Sequence, residues 1–131
     1  MIKIVDVRIY LTTVVMMVEP TVEEWEKFYE DYQEYLTEDD YKCIMDDIKD
    51  PKRCNGCTTS LDKGDFCVFV RHKDNCGDIA HEIFHVANKI LCRCEVNHDA
   101  DAEPWAYLIG WLTTEFYKML EEETKEGEAD G

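Results

Sequence analysis

Basic residues are scarce in this chain of 131 residues, which has 14 lysines and arginines against 30 aspartates and glutamates. The formal net charge is -16. A surface this acidic repels the phosphates of nucleic acids and of anionic membranes, so we set both aside as partners. Neutral or basic partners fit the charge better, although much of it can serve solubility alone. Nothing in the sequence indicates the oligomeric state.

A long uncharged apolar run is also missing. The best candidate, Ile2 to Val18, is interrupted by Lys3, Asp6 and Arg8 and is shorter than the roughly 20 residues that a membrane-spanning helix needs. The same charges, and the lack of a clear small-residue cleavage site, distinguish it from a secretory signal. We therefore expect a cytoplasmic protein with no membrane-spanning segment.

The chain lacks an even number of cysteines: it contains seven. An odd number argues against a fully paired disulfide scaffold, and a reducing cytoplasm would keep the thiols free. Two close pairs could together form a second, structural zinc site: Cys54 with Cys57 in CNGC, and Cys92 with Cys94 in CRC. Two local redox-sensitive pairs, or ordinary free thiols, are the alternatives. Cys67 lies in an apolar strand and is expected in the core.

Hydrophobic periodicity predicts one α+β domain over residues 1–122, followed by an acidic flexible tail over 123–131. The predicted elements are one long or two short strands over 2–18, a helix from Thr21 to about Leu36, a short helix over 38–48, a turn-rich segment over 51–65, the strand FCVFV over 66–70, a helix over 78–91 and a last helix over 102–122. The stripe expected to face inward on the helix over 78–91 consists of Ala80, Phe84, Ala87 and Leu91. On the last helix it consists of Trp105, Leu108, Ile109, Leu112, Phe116 and Leu120.

The most specific pattern in the chain is HEIFH, residues 81–85. His81 and His85 are one helical turn apart on the same face, where both imidazoles can bind one Zn²⁺. Glu82 follows the first histidine, so its carboxylate can reach a water on the metal without being a ligand. Zinc with three protein ligands lowers the pKa of that water to about 7, and a glutamate can take its proton and pass it to a leaving amine. A solvated helix face with an accidental pattern is the alternative.

Acidic residues at a usable distance offer a third ligand. Glu103 follows His85 by 18 positions, at the start of the last helix, and two neighbouring helices can bring these side chains together. Asp101 is an alternative ligand, or the residue that caps the last helix. Asp99 is either an acceptor for a ligand imidazole or an exposed loop acid.

HEIFH, followed at this spacing by DADAEPWAYLIGWL, resembles the zincin metallopeptidases of the glutamate-ligand type. More closely, it resembles the small zincin-like peptidases encoded in bacteriophage genomes. The likeness covers residues 64 to about 116. It implies a minimal zincin-like domain, in which a small sheet packs against the HEIFH helix and a C-terminal helix that carries the third ligand. It also implies that FCVFV is the sheet edge lining the cleft, to which an extended peptide adds as a strand.

By the same resemblance, His81, His85 and Glu103 are the zinc ligands and Glu82 is the general base. The expected activity is zinc-dependent hydrolysis of a peptide bond in a peptide or protein substrate, and the net charge makes a basic substrate segment plausible. The alternatives are a non-catalytic, zinc-stabilised interaction module with an acidic surface, or a metal hydrolase that acts on another amide.

Such a site usually needs a group that stabilises the developing oxyanion. Tyr107, one turn after Glu103, and His98 are the candidates. Packing between helices is the other role for Tyr107, and His98, like His72, can be an exposed loop histidine. Gly110 is expected to let the last helix approach the HEIFH helix closely.

Overall fold

The computed structural model describes residues 1–96 and 102–130, with the backbone alone at 124 and 126–130. Within this part of the chain the fold is α+β, as predicted, with a four-stranded sheet covered by two helices on each face. The elements are β1 (Ile2–Val7), β2 (Thr12–Val18), α1 (Val22–Asp31), α2 (Glu38–Lys49), β3 (Gly56–Ser60), β4 (Phe66–Val70), α3 (Cys76–Arg93) and α4 (Glu103–Asp130). A single 3₁₀ turn, Arg8–Tyr10, joins β1 to β2, so the first apolar segment forms two strands.

The strand order in the sheet is β1-β2-β4-β3. β1 and β2 pair antiparallel, β2 and β4 pair parallel, and β3 pairs antiparallel with β4. All five residues of β4 are buried, which suits a central strand with helices on both faces. The prediction that FCVFV forms the sheet edge is therefore wrong. That edge belongs to β3, a strand that lies inside the segment predicted to be only turns.

Alternate side chains of β2 enter two separate cores, because successive residues of a strand point to opposite faces. Val14, Met16 and Val18 pack under α3 and α4. Val15 and Met17 pack under α1 and α2. All five are fully buried. α3 is thus fixed against the sheet along its length, which gives its outer side chains a rigid base.

Local side-chain hydrogen bonds define where the helices begin. Thr21 and Thr37 each form a capping box, with Glu24 and Asp40 respectively, at the starts of α1 and α2. The second box starts α2 at Glu38. α1 ends at Asp31 and does not run on to Leu36 as predicted. Leu36 is nevertheless buried, in the turn between the two helices.

The predicted inward stripe of α3 is wrong in part. Ala80 and Phe84 are exposed, whereas Ala87 and Leu91 are buried. The face toward the sheet instead carries Ile79, Ile83, Val86 and Ile90. Compared with the prediction, α3 is therefore rotated about its own axis. In this orientation His81 and His85 lie on its outer surface.

The predicted inward stripe of α4 is confirmed. Trp105, Leu108, Leu112 and Phe116 are buried, and Ile109 and Leu120 pack partly against the same core. α4 runs to Asp130, so it includes most of the segment predicted as a tail. No helix in residues 1–96 and 102–130 is long and apolar enough to cross a membrane.

Candidate active site

The two histidines of HEIFH face each other on the outer surface of α3. Their Nε2 atoms are 3.0 Å apart, and the rings meet edge to face at 77°. Two nitrogen ligands of one tetrahedral Zn²⁺ are about 3.3 Å apart, given Zn–N bonds of about 2.05 Å. The separation of the two Nε2 atoms is therefore close to that of two ligands of one zinc ion. The same spacing also allows one neutral ring to donate a hydrogen bond to the other.

Glu82 is buried beside these exposed rings. Its side chain is 7% exposed, against 66% for His81. The hydroxyl oxygen of Thr58, on β3, lies 2.7 Å from Oε2 of Glu82 and 3.1 Å from its main-chain oxygen. The other carboxylate oxygen, Oε1, lies 3.8 Å from Nε2 of His81. One oxygen is thus held by the sheet, and the other lies near the His81 imidazole.

A glycine on β3 makes room for Glu82. A Cβ atom at Gly56 would lie 2.9 Å from Cγ of Glu82 and 3.0 Å from the main-chain oxygen of Phe69. Contacts below 3.0 Å require a neighbour to move, and neither a central-strand carbonyl nor the middle of a buried side chain moves easily. The absence of a side chain at Gly56 therefore allows α3 to approach β3 closely at the site.

We expect Gly56→Ala to lower the free energy of unfolding by about 1–3 kcal/mol, because the added methyl overpacks this contact. Denaturant unfolding of the metal-free protein measures the change. Gly110→Ala is the matched control. A Cβ at Gly110 meets no atom of a neighbouring element within 4 Å in the described part of the chain, so the predicted close helix contact there is wrong. In this exposed helical position alanine should instead stabilise by up to about 1 kcal/mol. Equal effects of the two substitutions would contradict the packing described for Gly56.

Glu103, the predicted third ligand, is the first residue of α4 and is exposed. The start of α4 lies beside the HEIFH segment through Phe84, whose ring centroid is 6.4 Å from that of Trp105 and 6.0 Å from that of His85. Among the described residues, no group of three or more histidine, cysteine, aspartate or glutamate side chains is gathered closely enough to hold a metal ion. The role of Glu103 as a ligand stays a prediction.

Three further candidates, His98, Asp99 and Asp101, lie outside the described residues. Their predicted roles near the metal or as a helix cap therefore stay predictions. His72 is exposed, as expected for a loop histidine.

Tyr107 does not pack between the helices. It is 75% exposed and lines a groove between α4 and the β1–β2 connection. β1 is one edge of the sheet, whereas Glu82 contacts β3 at the opposite edge. The structure thus places Tyr107 in a different surface feature from Glu82.

The two cysteine pairs are not brought together as a four-thiolate site. Cys54 and Cys57 pack with the core beneath α1 and α2. Cys92 lies on α3, across the sheet, with its Sγ 3.5 Å from Oδ1 of Asn88. Burial raises the pKa of the Cys54 and Cys57 thiols, which disfavours the thiolate form that binds metals. Cys67 is buried in β4, so its predicted place in the core is confirmed.

The sequence interpretation missed Thr58 and Gly56, because both lie in the unrecognised strand β3. The pair of β-branched residues Thr58 and Thr59 was the available signal for a strand. Together with HEIFH, these residues give two accessible nitrogen donors next to an oriented carboxylate. This set can hold a cation and accept a proton beside it. No protein-family model, curated protein or solved structure matches the chain.

Proposed function

We propose that the protein is a zinc-dependent peptidase of the zincin-like type, with His81 and His85 as zinc ligands and Glu82 as the general base. One observation carries the proposal: the buried Glu82 carboxylate is anchored through Oε2 to Thr58, and its Oε1 lies 3.8 Å from Nε2 of the exposed His81. A glutamate on an ordinary solvated helix face would be exposed. Glu103 completes the proposed ligand set from the start of α4.

In the proposed reaction, the zinc ion, Glu82 and Thr58 have separate roles. Zinc held by His81, His85 and Glu103 would supply a Lewis acid and would lower the pKa of a water at the site to about 7. Glu82 accepts a proton at Oε1 and later donates it to the nitrogen of the leaving amine. Thr58 keeps the carboxylate in one orientation, so that Oε1 does not turn away between the two transfers.

β3 is suited to align a peptide substrate. Within residues 1–96 and 102–130, no strand pairs with its outer edge. An extended peptide can therefore add to it through main-chain hydrogen bonds. Because Thr58 of this strand contacts Glu82, the added peptide runs past the general base.

We further propose a reducing compartment such as the cytoplasm, since all seven cysteines are free.

A non-catalytic interaction module is the second candidate, and one observation favours it. The groove beside Tyr107 has a volume of about 450 Å³ and is lined by apolar side chains that include Ile9 and Trp111. Ile9 is 82% exposed and Trp111 is 41% exposed, and exposed apolar patches often mark binding surfaces. In such a module, protein would fill every coordination position of the zinc, whereas an enzyme leaves one to water.

Metal removal tests the proposed activity. We expect the zinc-loaded protein to cleave members of a mixed peptide library, and a chelator to abolish cleavage because the imidazoles alone activate no water. Adding zinc back should restore it. Mass spectrometry of the products measures cleavage, and circular dichroism checks that the metal-free protein is folded. Cleavage by fully metal-depleted protein, or none by zinc-loaded protein, would overturn the proposal.

A further inference from the structure

A pocket continues the site along α3 beyond His85. It has a volume of about 440 Å³ and lies between the end of β3 and the last turns of α3. Ser60 lines it from the strand, and Asn88 and Cys92 line it from the helix. Asn88 is three residues after His85 and Cys92 is seven, so both lie on the helical stripe that carries the histidines.

The charge of this pocket is opposite to that of the whole protein. Lys89 and Arg93 line it, and Asp65 is the one acidic residue among its lining residues. The Oδ1 atom of Asp65 already accepts a hydrogen bond from the main-chain nitrogen of Thr13, at 3.0 Å. Charges farther away than about 8–10 Å are largely screened at physiological salt. The lining residues therefore carry a net charge of +1, opposite in sign to the net charge of -16 of the whole protein.

Lys89 is the more available of the two cations. The Arg93 guanidinium donates to the main-chain oxygen of Gly64 and lies over the Phe66 ring, 4.7 Å from its centroid. Lys89 is half-buried. No ion pair joins it to another residue in the described part of the chain, whereas Lys42 and Lys118 are each paired. Its ammonium group can therefore meet a ligand carboxylate without first breaking such a pair.

The register of β3 fixes which substrate residue reaches the pocket. Thr58 and Ser60 both project toward α3, since Thr58 contacts Glu82 and Ser60 lines the pocket. A peptide added to β3 also directs every second side chain to this face, at intervals of about 6.6 Å. The side chain beside Ser60 is thus two residues from the one beside Thr58 and the general base.

We propose that this pocket binds the carboxylate of an aspartate or glutamate two residues from the scissile bond, and that Lys89 selects it. The inference rests on the proposed peptidase function and names its substrate class. It contradicts the expectation of a basic substrate segment, which rests on the net charge of the whole protein. Such a segment would bring its cation next to Lys89 and Arg93, and like charges in contact disfavour a partner.

The test compares matched peptides that carry glutamate, glutamine or lysine at the position two residues from the cleavage point, on either side of it. The wild type should cleave the best glutamate peptide with a kcat/KM at least about tenfold above that of its lysine counterpart. Lys89→Glu should reverse this preference. Lys27→Glu, on α1 across the sheet, makes the same change in net charge and should leave the preference intact. Equal cleavage by the wild type, or an unchanged preference in Lys89→Glu, would overturn the inference.

Binding separates this inference from the activity itself. Fluorescence anisotropy with labelled peptides and the Glu82→Gln protein measures the preference without hydrolysis. Charge-selective binding that Lys89→Glu reverses, with no cleavage by the wild type, would retain the pocket and remove the peptidase function. Cleavage without selection for the acidic residue would retain the peptidase and remove the pocket. Lys89→Gln, which should abolish rather than reverse the preference, replaces Lys89→Glu if the latter does not fold.

Discussion

Glu82→Gln is expected to lower kcat for peptide hydrolysis by about 10²–10⁴-fold, the usual contribution of a general base, while the zinc content stays unchanged. The glutamine amide has nearly the same shape as the carboxylate, and its oxygen can still accept the hydrogen bond that Thr58 donates to Oε2. It cannot take a proton from water. Steady-state kinetics at saturating peptide, together with metal analysis of the same samples, measures both quantities.

The matched control for this substitution is Glu121→Gln, on the exposed surface of α4. It makes the same chemical change away from the site and should leave kcat within about twofold, as surface substitutions usually have small effects. Full activity in Glu82→Gln would show that another group moves the proton. Loss of zinc from Glu82→Gln would show that the carboxylate is a ligand, which its burial against β3 does not suggest.

The helices that carry the candidate site could be predicted from local sequence. α3 and α4 follow a clear three- and four-residue apolar period, and the spacing of His81 and His85 alone places both rings on one face. The exact face could not be predicted. Phe84 is as apolar as Ile83, and only packing against the sheet decides that Ile83 is buried while Phe84 is half exposed.

β3 could not be recognised locally, because its sequence GCTTS contains few apolar residues and follows turn-forming ones. It becomes a strand by pairing with β4, so its identity depends on a neighbour elsewhere in the chain. The resemblance implies an edge position for FCVFV, whereas β3 holds that edge. The environment of Glu82 could not be predicted for the same reason, because its contact with Thr58 spans 24 residues of sequence.

Loss of bound zinc from His85→Ala is the second large effect that we expect. The wild type should bind about one zinc per chain at this site. Removing one of two imidazoles should weaken binding by more than about 100-fold, since even changes to the outer partners of a metal site cost 10–100-fold. The Nε2 atom of His81 would lose its neighbour at 3.0 Å and remain as the one imidazole donor of the site. Metal analysis after dialysis at neutral pH measures the bound zinc.

Two control proteins make this measurement specific. His72→Ala removes an exposed histidine from a loop outside the site, and the double variant Cys57→Ser, Cys92→Ser removes one thiol from each close pair. The account predicts one bound zinc in the wild type and in both controls, and almost none in His85→Ala. Undiminished zinc in His85→Ala, or its loss from the cysteine variant instead, would contradict it.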